Sequence, residues 1–179
     1  MHTPVEARES SQALFDSVPS RGKVDTAGIA AMTNDVDESI GLLRAKIAAL
    51  GIAENTYLVV MSDNGGSAGG SRGSDVSALK GGKGSLYEGG IRIPFFVEGP
   101  GIEAGSVSNQ SIMGCDLYPT FCEWAGIETP EGLEGVSLAA VLSASAQQLA
   151  ESSILFHYPH TLWARRPPEA AIRIDSRRL

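Results

Sequence analysis

Residues 57–101 carry the pattern that decides the fold, and they read YLVVMSDNGGSAGGSRGSDVSALKGGKGSLYEGGIRIPFFVEGPG. The stretch opens on Tyr57–Met61, a short apolar run rich in β-branched residues. Such a run is typical of a buried strand in a parallel sheet. A second apolar run, Ile91–Val97, returns the chain to the core after a long Gly-rich connection. The stretch therefore predicts two sheet strands.

Polar residues follow the first predicted strand directly, and two of them are Asp63 and Asn64. In open α/β sheets, ligands bind beyond the carboxyl ends of the strands. A carboxylate and an amide oxygen are hard donors of the kind that Ca²⁺ and Mg²⁺ prefer. The sequence therefore predicts that Asp63 and Asn64 are metal ligands, for Ca²⁺ or alternatively Mg²⁺.

A lysine lies between glycines further along the same stretch, at Gly82-Lys83-Gly84. Flanking glycines let an ammonium and backbone N–H groups approach an anion closely. We expect Lys83 to meet Asp63 and Asn64 in one pocket. A nucleotide-binding P-loop is excluded, because that motif requires Ser or Thr after its lysine and Gly84 stands there.

The clearest helix signal runs from Thr26 to Leu50, where apolar residues recur every three or four positions. Asp25 or Thr26 can cap its start, and Gly51 can end it in the left-handed conformation. Charged residues on the opposite face indicate a solvated surface. A helix next to short apolar runs predicts an α/β fold, with Thr26–Leu50 covering the sheet.

Three segments together resemble the sulfatases, specifically the arylsulfatase-like enzymes of the alkaline phosphatase superfamily. They are Ser62–Gly66, Gly81–Pro94 and Gly99–Gly101, in this order and spacing. The resemblance implies an alkaline-phosphatase-like three-layer α/β/α sandwich with a mostly parallel sheet, incomplete at both ends. Residues 1–179 would then be a partial catalytic domain. Residues up to about 170 resemble the family, and residues 171–179 diverge, which suggests a truncation or reading-frame slip near Arg173.

The resemblance also assigns roles to individual residues. It implies that Asp63 and Asn64 hold Ca²⁺, that Lys83 stabilises negative charge on the sulfuryl group, and that His2 assists the leaving group. His2 lies in His2-Thr3-Pro4, which is similar to the family's His-x-Pro segment. From the residues alone, the same segment is read as a frayed terminus.

The family's nucleophile motif has a near match at Ser17-Val18-Pro19-Ser20-Arg21. In sulfatases the first residue of that motif is oxidised to formylglycine, and the motif precedes the His-x-Pro segment, whereas here it follows. The Leu-Thr-Gly continuation is also absent. We interpret Ser17–Arg21 as a turn with Pro19 at its corner. The chain is then a central fragment without the nucleophile and without the family's first pair of metal-binding aspartates.

Composition limits the classes of partner. A chain of 179 residues is long enough for one domain with its own core. Its net charge of −7 argues against nucleic acid as a partner. No apolar run approaches the length of a membrane helix, and residues 1–10 lack the apolar core of a signal peptide. The resemblance to sulfatases implies that the partner is a small-molecule or saccharide sulfate ester. Oligomeric state and location stay open, although the resembling family is often exported.

Three functional interpretations remain. The first is a sulfuric ester hydrolase that cleaves a sulfate ester with Ca²⁺-assisted chemistry, present as a fragment. The second is a catalytically inactive remnant of a sulfatase that binds a cation or an oxyanion. The third is a related phosphoesterase of the same superfamily.

Overall fold

The structure is a computed structural model that describes residues 4–20, 25–67, 78–143, 149, 153–160, 167–174 and 177–178. The chain divides into two compact units, Met1–Phe96 and Val97–Leu179. The helices are α1 (Glu9–Phe15), α2 (Thr26–Ala49), α3 (Glu88–Ile91), α4 (Leu117–Ala125) and α5 (Ala139–Leu142). Single 3₁₀ turns span Ala53–Asn55 and Gly114–Asp116. The strands are β1 (Leu58–Met61), β2 (Phe95–Glu98), β3 (Ser153–Tyr158), β4 (Glu169–Ile174) and β5 (Arg177–Arg178).

The long helix α2 begins and ends where its sequence predicts. The Asp25 side chain accepts a hydrogen bond from the Gly28 N–H at 2.8 Å, so it caps the first turn. Leu50 is the C-terminal capping residue of α2, and Gly51 follows it with a φ of 66°. That left-handed conformation costs glycine little, which is why the helix ends there. Among the described residues, no helix is both long and apolar enough to cross a membrane.

A short helix that the sequence pattern missed, α1, packs against α2 through a polar network. Arg8 donates to Asp35 at 2.8 Å and to Glu38 at 2.5 Å. The buried Ser11 hydroxyl donates to Asp35 at 2.5 Å, and Asn34 donates to Glu38 at 2.9 Å. The hydrogen bond from Ser11, with those from Arg8, holds the pKa of Asp35 below its usual value. Part of the face predicted to be solvated is therefore an ion-paired contact.

The apolar stripe of α2 is more exposed than expected. Ala31 is buried, but Val36 and Leu43 are each 48% exposed and Leu42 is exposed as well. The expectation that Thr26–Leu50 covers a sheet along its length is therefore wrong for the structure described. The periodicity of apolar residues shows which face of a helix can be buried. It does not show whether a partner surface lies within the same chain.

The strands of the decisive stretch are shorter and less buried than predicted. Residues of β1 are half-buried, and Met61 is exposed, so Tyr57–Met61 is not a fully buried strand. Ile91 ends α3, and β2 begins only after Pro94. The Ser62 N–H donates to the Pro94 carbonyl at 3.3 Å, which sets the end of β1 beside the start of β2. β1 and β2 are neighbours in a two-stranded sheet.

The second unit contains an antiparallel sheet in the order β3-β4-β5. Ser153 pairs with Ile174 and Tyr158 pairs with Glu169. The α/β fold class is confirmed, and the pairs β3–β4 and β4–β5 in the described residues run antiparallel. A short connection suffices for antiparallel neighbours, whereas parallel ones need a longer crossover. The short segment between β3 and β4 therefore favours the observed direction.

Helix α4 is tied to the segment that follows it by buried polar groups. Asp116 is 7% exposed, and its carboxylate accepts from the N–H groups of Met113 at 2.7 Å and Val136 at 2.9 Å. The fully buried Thr120 hydroxyl accepts from the Leu138 N–H at 2.8 Å. Asp116 is the N-terminal capping residue of α4, but its side chain makes no capping hydrogen bond to that helix. Its side chain instead binds two backbone groups outside that helix.

We predict that Asp116→Ala lowers the free energy of unfolding by about 2–4 kcal/mol, because two enclosed N–H groups lose their acceptor. Asp116→Asn keeps one acceptor oxygen and should lose less. Chemical denaturation of the purified chain measures both. The control is Glu123→Ala on the exposed side of α4, which should change stability by less than about 0.5 kcal/mol. Equal losses in Asp116→Ala and the control would contradict the assigned role.

Candidate functional site

The turn that follows β1 is fixed by its first residue. The Ser62 hydroxyl donates to the Asn64 carbonyl at 2.9 Å, and the Ser62 N–H is bonded to Pro94. Asp63 is exposed, and Asn64 is half-buried. The turn therefore presents a carboxylate to solvent next to an amide whose main chain is held in place. This is the placement predicted for a pair of oxygen donors at the carboxyl end of the strand.

Two hydrogen bonds join this turn to the glycine-rich segments further along the chain. The Gly65 N–H donates to the Gly90 carbonyl at 2.9 Å. The Lys83 N–H donates to the Gly66 carbonyl at 2.7 Å. The main chain of Lys83 is thus in direct contact with the segment that carries Asp63 and Asn64.

Lys83 itself occupies the corner of a tight turn. The Ser85 N–H donates to the Gly82 carbonyl at 2.9 Å, so Lys83 and Gly84 are the two central residues. Gly84 has a φ of 83°, which matches the positive φ that a type II turn requires at its third position. Lys83 is exposed, so its ammonium can meet a ligand from solvent.

A second lysine lies close to the same turn. The Lys80 ammonium is 4.1 Å from the centroid of the Tyr87 ring, a cation–π contact. Gly81, with a φ of 77°, lies against the Tyr87 side chain. Lys80 and Tyr87 belong to the same glycine-rich segment as Lys83. This segment therefore carries a second positive charge, and that charge lies over an aromatic ring.

The donors present suit a divalent cation in kind. Asp63 supplies a carboxylate and Asn64 an amide oxygen, which are hard ligands typical of Ca²⁺ and Mg²⁺. Two side chains fall well short of the six to eight oxygens that Ca²⁺ usually takes. Over the part of the chain that the structure describes, no group of three or more His, Cys, Asp or Glu side chains could hold a metal ion.

Some predicted features lie outside the described residues. His2 is one of them, and so are residues 68–77 of the Gly-rich connection between the two predicted strands. Ser17 is exposed in the turn that ends α1, where the Val18 N–H donates to the Phe15 carbonyl at 2.8 Å. This turn spans residues 15–18 and does not include Pro19, so the interpretation of Ser17–Arg21 as a turn with Pro19 at its corner stays a prediction. Sequence reasoning overlooked Ser85, whose only signal was its place between two glycine pairs.

A protein-family model described as Sulfatase matches residues 3–127, and the chain belongs to the sulfatase family. A relative named Sulfatase, from Formosa agariphila, is 36% identical over 129 residues. That match covers 68% of this chain and 23% of the relative. Family membership suggests a divalent metal and leaves its identity open.

Solved structures agree with this assignment. The structure of BT4656 in complex with its substrate D-glucosamine-2-N,6-O-disulfate is 30% identical, with a TM-score of 0.69. A phosphonate monoester hydrolase from Silicibacter pomeroyi is 26% identical, with a TM-score of 0.63. The matches cover 83% and 82% of this chain but only 30% of each of those chains. The chain thus spans less than a third of the proteins it resembles.

Proposed function

We propose that this chain carries the metal and oxyanion part of a sulfuric ester hydrolase site that uses Ca²⁺. The observation that carries the proposal is the hydrogen bond from the Lys83 N–H to the Gly66 carbonyl. It brings a lysine turn against a turn that bears two oxygen donors, within a chain of the sulfatase family. We further propose that residues 1–170 form part of the catalytic domain and that residues 171–179 depart from it.

Each residue has a distinct role in this proposal. Asp63 and Asn64 hold Ca²⁺, which when bound supplies positive charge that polarises a sulfate oxygen. The Lys83 ammonium binds the sulfuryl oxygens and stabilises the negative charge that develops as the ester bond breaks. His2, assigned by its resemblance to the His-x-Pro segment alone, donates a proton or hydrogen bond to the leaving oxygen. The nucleophile of the reaction is not among the residues we assign.

The proposed substrate is a small-molecule or saccharide sulfate ester. BT4656, which binds a disulfated glucosamine, supports this class. The chain's net charge of −7 means that an anionic substrate is held by local cations rather than by the overall field. Lys83 and Lys80, both exposed on one glycine-rich segment, are cations suited to that task.

Two alternatives deserve tests of their own. The likeness to a phosphonate monoester hydrolase supports a phosphoesterase as the second candidate. The third candidate is a remnant that binds a cation or an oxyanion without turnover. Substrate preference separates the first two candidates, and turnover separates either of them from the third.

We predict that the 179-residue chain binds Ca²⁺ with a dissociation constant of about 1 mM, because a site with few protein oxygen ligands binds the ion weakly. Asp63→Asn should weaken binding at least about tenfold, because a charged oxygen ligand is lost. Amide shifts of a ¹⁵N-labelled chain during Ca²⁺ titration give the constant. Asp37→Asn, on the exposed side of α2, is the matched control and should bind as the unaltered chain does. Equal binding by Asp63→Asn and the control would remove Asp63 as a ligand.

We predict that the purified chain hydrolyses 4-nitrophenyl sulfate little faster than buffer does. The covalent step needs an activated nucleophile, and we assign none to this chain. 4-Nitrophenyl phosphate and a phosphonate monoester are assayed alongside.

Three outcomes would change the account. Robust turnover of the sulfate that Ser17→Ala abolishes would restore Ser17 as the nucleophile. Robust turnover lost with Lys83→Ala but kept in Ser17→Ala would show that the chain uses an unassigned nucleophile. Turnover or binding that prefers the phosphate or the phosphonate over the sulfate would favour the phosphoesterase.

A further inference from the structure

Lys80 is an exposed cation whose side chain is held against an aromatic ring. Its ammonium lies 4.1 Å from the centroid of the Tyr87 ring, and Tyr87 is 43% exposed. The ring attracts the cation through its electron-rich face, whereas the ammonium has three N–H donors that point in different directions. The donors that point away from the ring can therefore bind an anion that arrives from solvent.

The main chain around Lys80 is fixed by close packing against Gly89. The Gly89 N–H donates to the Lys80 carbonyl at 2.9 Å, and a Cβ on Gly89 would lie only 2.6 Å from the Gly81 carbonyl oxygen. A Cβ on Gly81 would lie 2.8 Å from the Tyr87 Cβ, so the lack of a side chain there lets Tyr87 approach. Lys80 is therefore held both through its main chain and by the ring beside its ammonium.

A short, hydrogen-bonded segment joins Lys80 to Lys83. The Ser85 hydroxyl donates to the Gly82 carbonyl at 2.8 Å and accepts from the Gly82 N–H at 3.1 Å, and Ser85 is 4% exposed. Three residues of chain span at most about 11 Å, which limits the distance between the Cα atoms of Lys80 and Lys83. Two positive charges thus belong to one small segment with its own internal bonds.

Neither lysine forms an ion pair with a carboxylate in the parts of the chain that the structure describes. By contrast, Arg8 is paired with both Asp35 and Glu38. The whole chain has 21 acidic residues against 14 Lys and Arg residues, so its overall field repels anions. Unneutralised positive charge on one segment is what an anionic ligand needs on such a chain.

We propose that Lys80 is a specificity-determining residue that binds a second oxyanion group of the substrate. Tyr87 is the positioning residue that holds the Lys80 ammonium for this contact. The substrate class is then a saccharide sulfate ester that carries two anionic groups. The inference rests on the proposed function, in which Lys83 binds the sulfate that is cleaved, and it does not involve a metal ion.

The sign of the charge effect separates this role from general electrostatics. A disulfate carries twice the charge of a monosulfate, and the net charge of −7 repels it more strongly. Without a local cation, the disulfate should therefore bind no better than the monosulfate. A contact between its second sulfate and Lys80 reverses that order, by about fivefold for one ion pair in water.

The experiment measures the dissociation constants of glucose 6-sulfate and glucose 2,6-disulfate by NMR titration of the whole chain. The titrations are done without added Ca²⁺ and at low ionic strength, where ion pairs are least screened. In the unaltered chain we expect the disulfate to bind at least about fivefold more tightly. Lys80→Gln should bring the two constants within about twofold of each other and change the monosulfate constant by less than about twofold.

Further variants test the role of the ring and the effect of net charge. Tyr87→Leu should reduce the preference for the disulfate, because the ammonium loses the face that holds it. Tyr87→Phe keeps a ring and should keep the preference. Lys46→Gln removes one exposed positive charge from α2 and is the matched control, so it should also keep the preference. If Tyr87→Leu does not fold, Lys80→Gln and Lys46→Gln still decide the role of Lys80.

The outcomes distinguish this inference from the proposed function. A preference that survives Lys80→Gln, or that Lys46→Gln reduces equally, would overturn the role of Lys80. Equal preferences in Tyr87→Leu and Tyr87→Phe would overturn the positioning role of Tyr87. No preference in the unaltered chain would overturn the inference, and weaker monosulfate binding in Lys83→Ala would then still support the proposed function. Monosulfate binding that Lys83→Ala leaves unaltered would refute the proposed role of Lys83.

Discussion

The hydrogen bond from the Lys83 N–H to the Gly66 carbonyl, 2.7 Å long, is the contact on which the proposed site depends. It joins two turns that are distant in sequence. One turn carries the oxygen donors Asp63 and Asn64, and the other carries the positively charged Lys83. Without it, Asp63 and Asn64 would be an exposed acidic turn, and Lys83 would be a surface lysine. Neither is a site by itself, because isolated surface charges are well solvated and bind little. In the proposed site, the chemistry arises from bringing them together.

That contact is possible because glycine lets backbones approach where a side chain would not fit. Gly65 and Gly90 are hydrogen-bonded to each other, and a Cβ on either would collide with a neighbouring carbonyl group. These glycines therefore allow two backbone segments to pack closely against each other. Residues 68–77 of the connecting loop lie outside the described residues. The described glycines beside it are packed.

Much of the local structure could be predicted from the sequence, because its causes are local. The start of α2 at Asp25 and its end before Gly51 follow from capping chemistry within a few residues. The α/β class followed from apolar periodicity. Helix α1 could not be predicted in this way, since Asp35, its ion-pair partner through Arg8, is 27 residues away. The pairing of β3 with β4 also depends on contacts between separate segments, which no single-sequence pattern encodes.

Several apolar side chains of this chain are exposed. Val36 and Leu43 on α2 are half exposed, and Leu155 on β3 is 64% exposed. The apolar residues of α2 have the spacing of a buried helix face, but several of them are exposed to solvent. The glycine-rich turns differ from these surfaces, because Gly65, Gly82, Ser85, Gly89 and Gly90 are buried and hydrogen-bonded within the first unit.

The most direct test of the account is a crystal structure of the chain with Ca²⁺ and a sulfate ester bound. The account predicts Ca²⁺ at about 2.3–2.6 Å from oxygens of Asp63 and Asn64. It also predicts the Lys83 Nζ at about 2.7–3.2 Å from an oxygen of the sulfate that touches this ion. A sulfate ester held by Lys83 more than about 10 Å from the cation, beyond the range of their mutual attraction at ordinary salt, would contradict it.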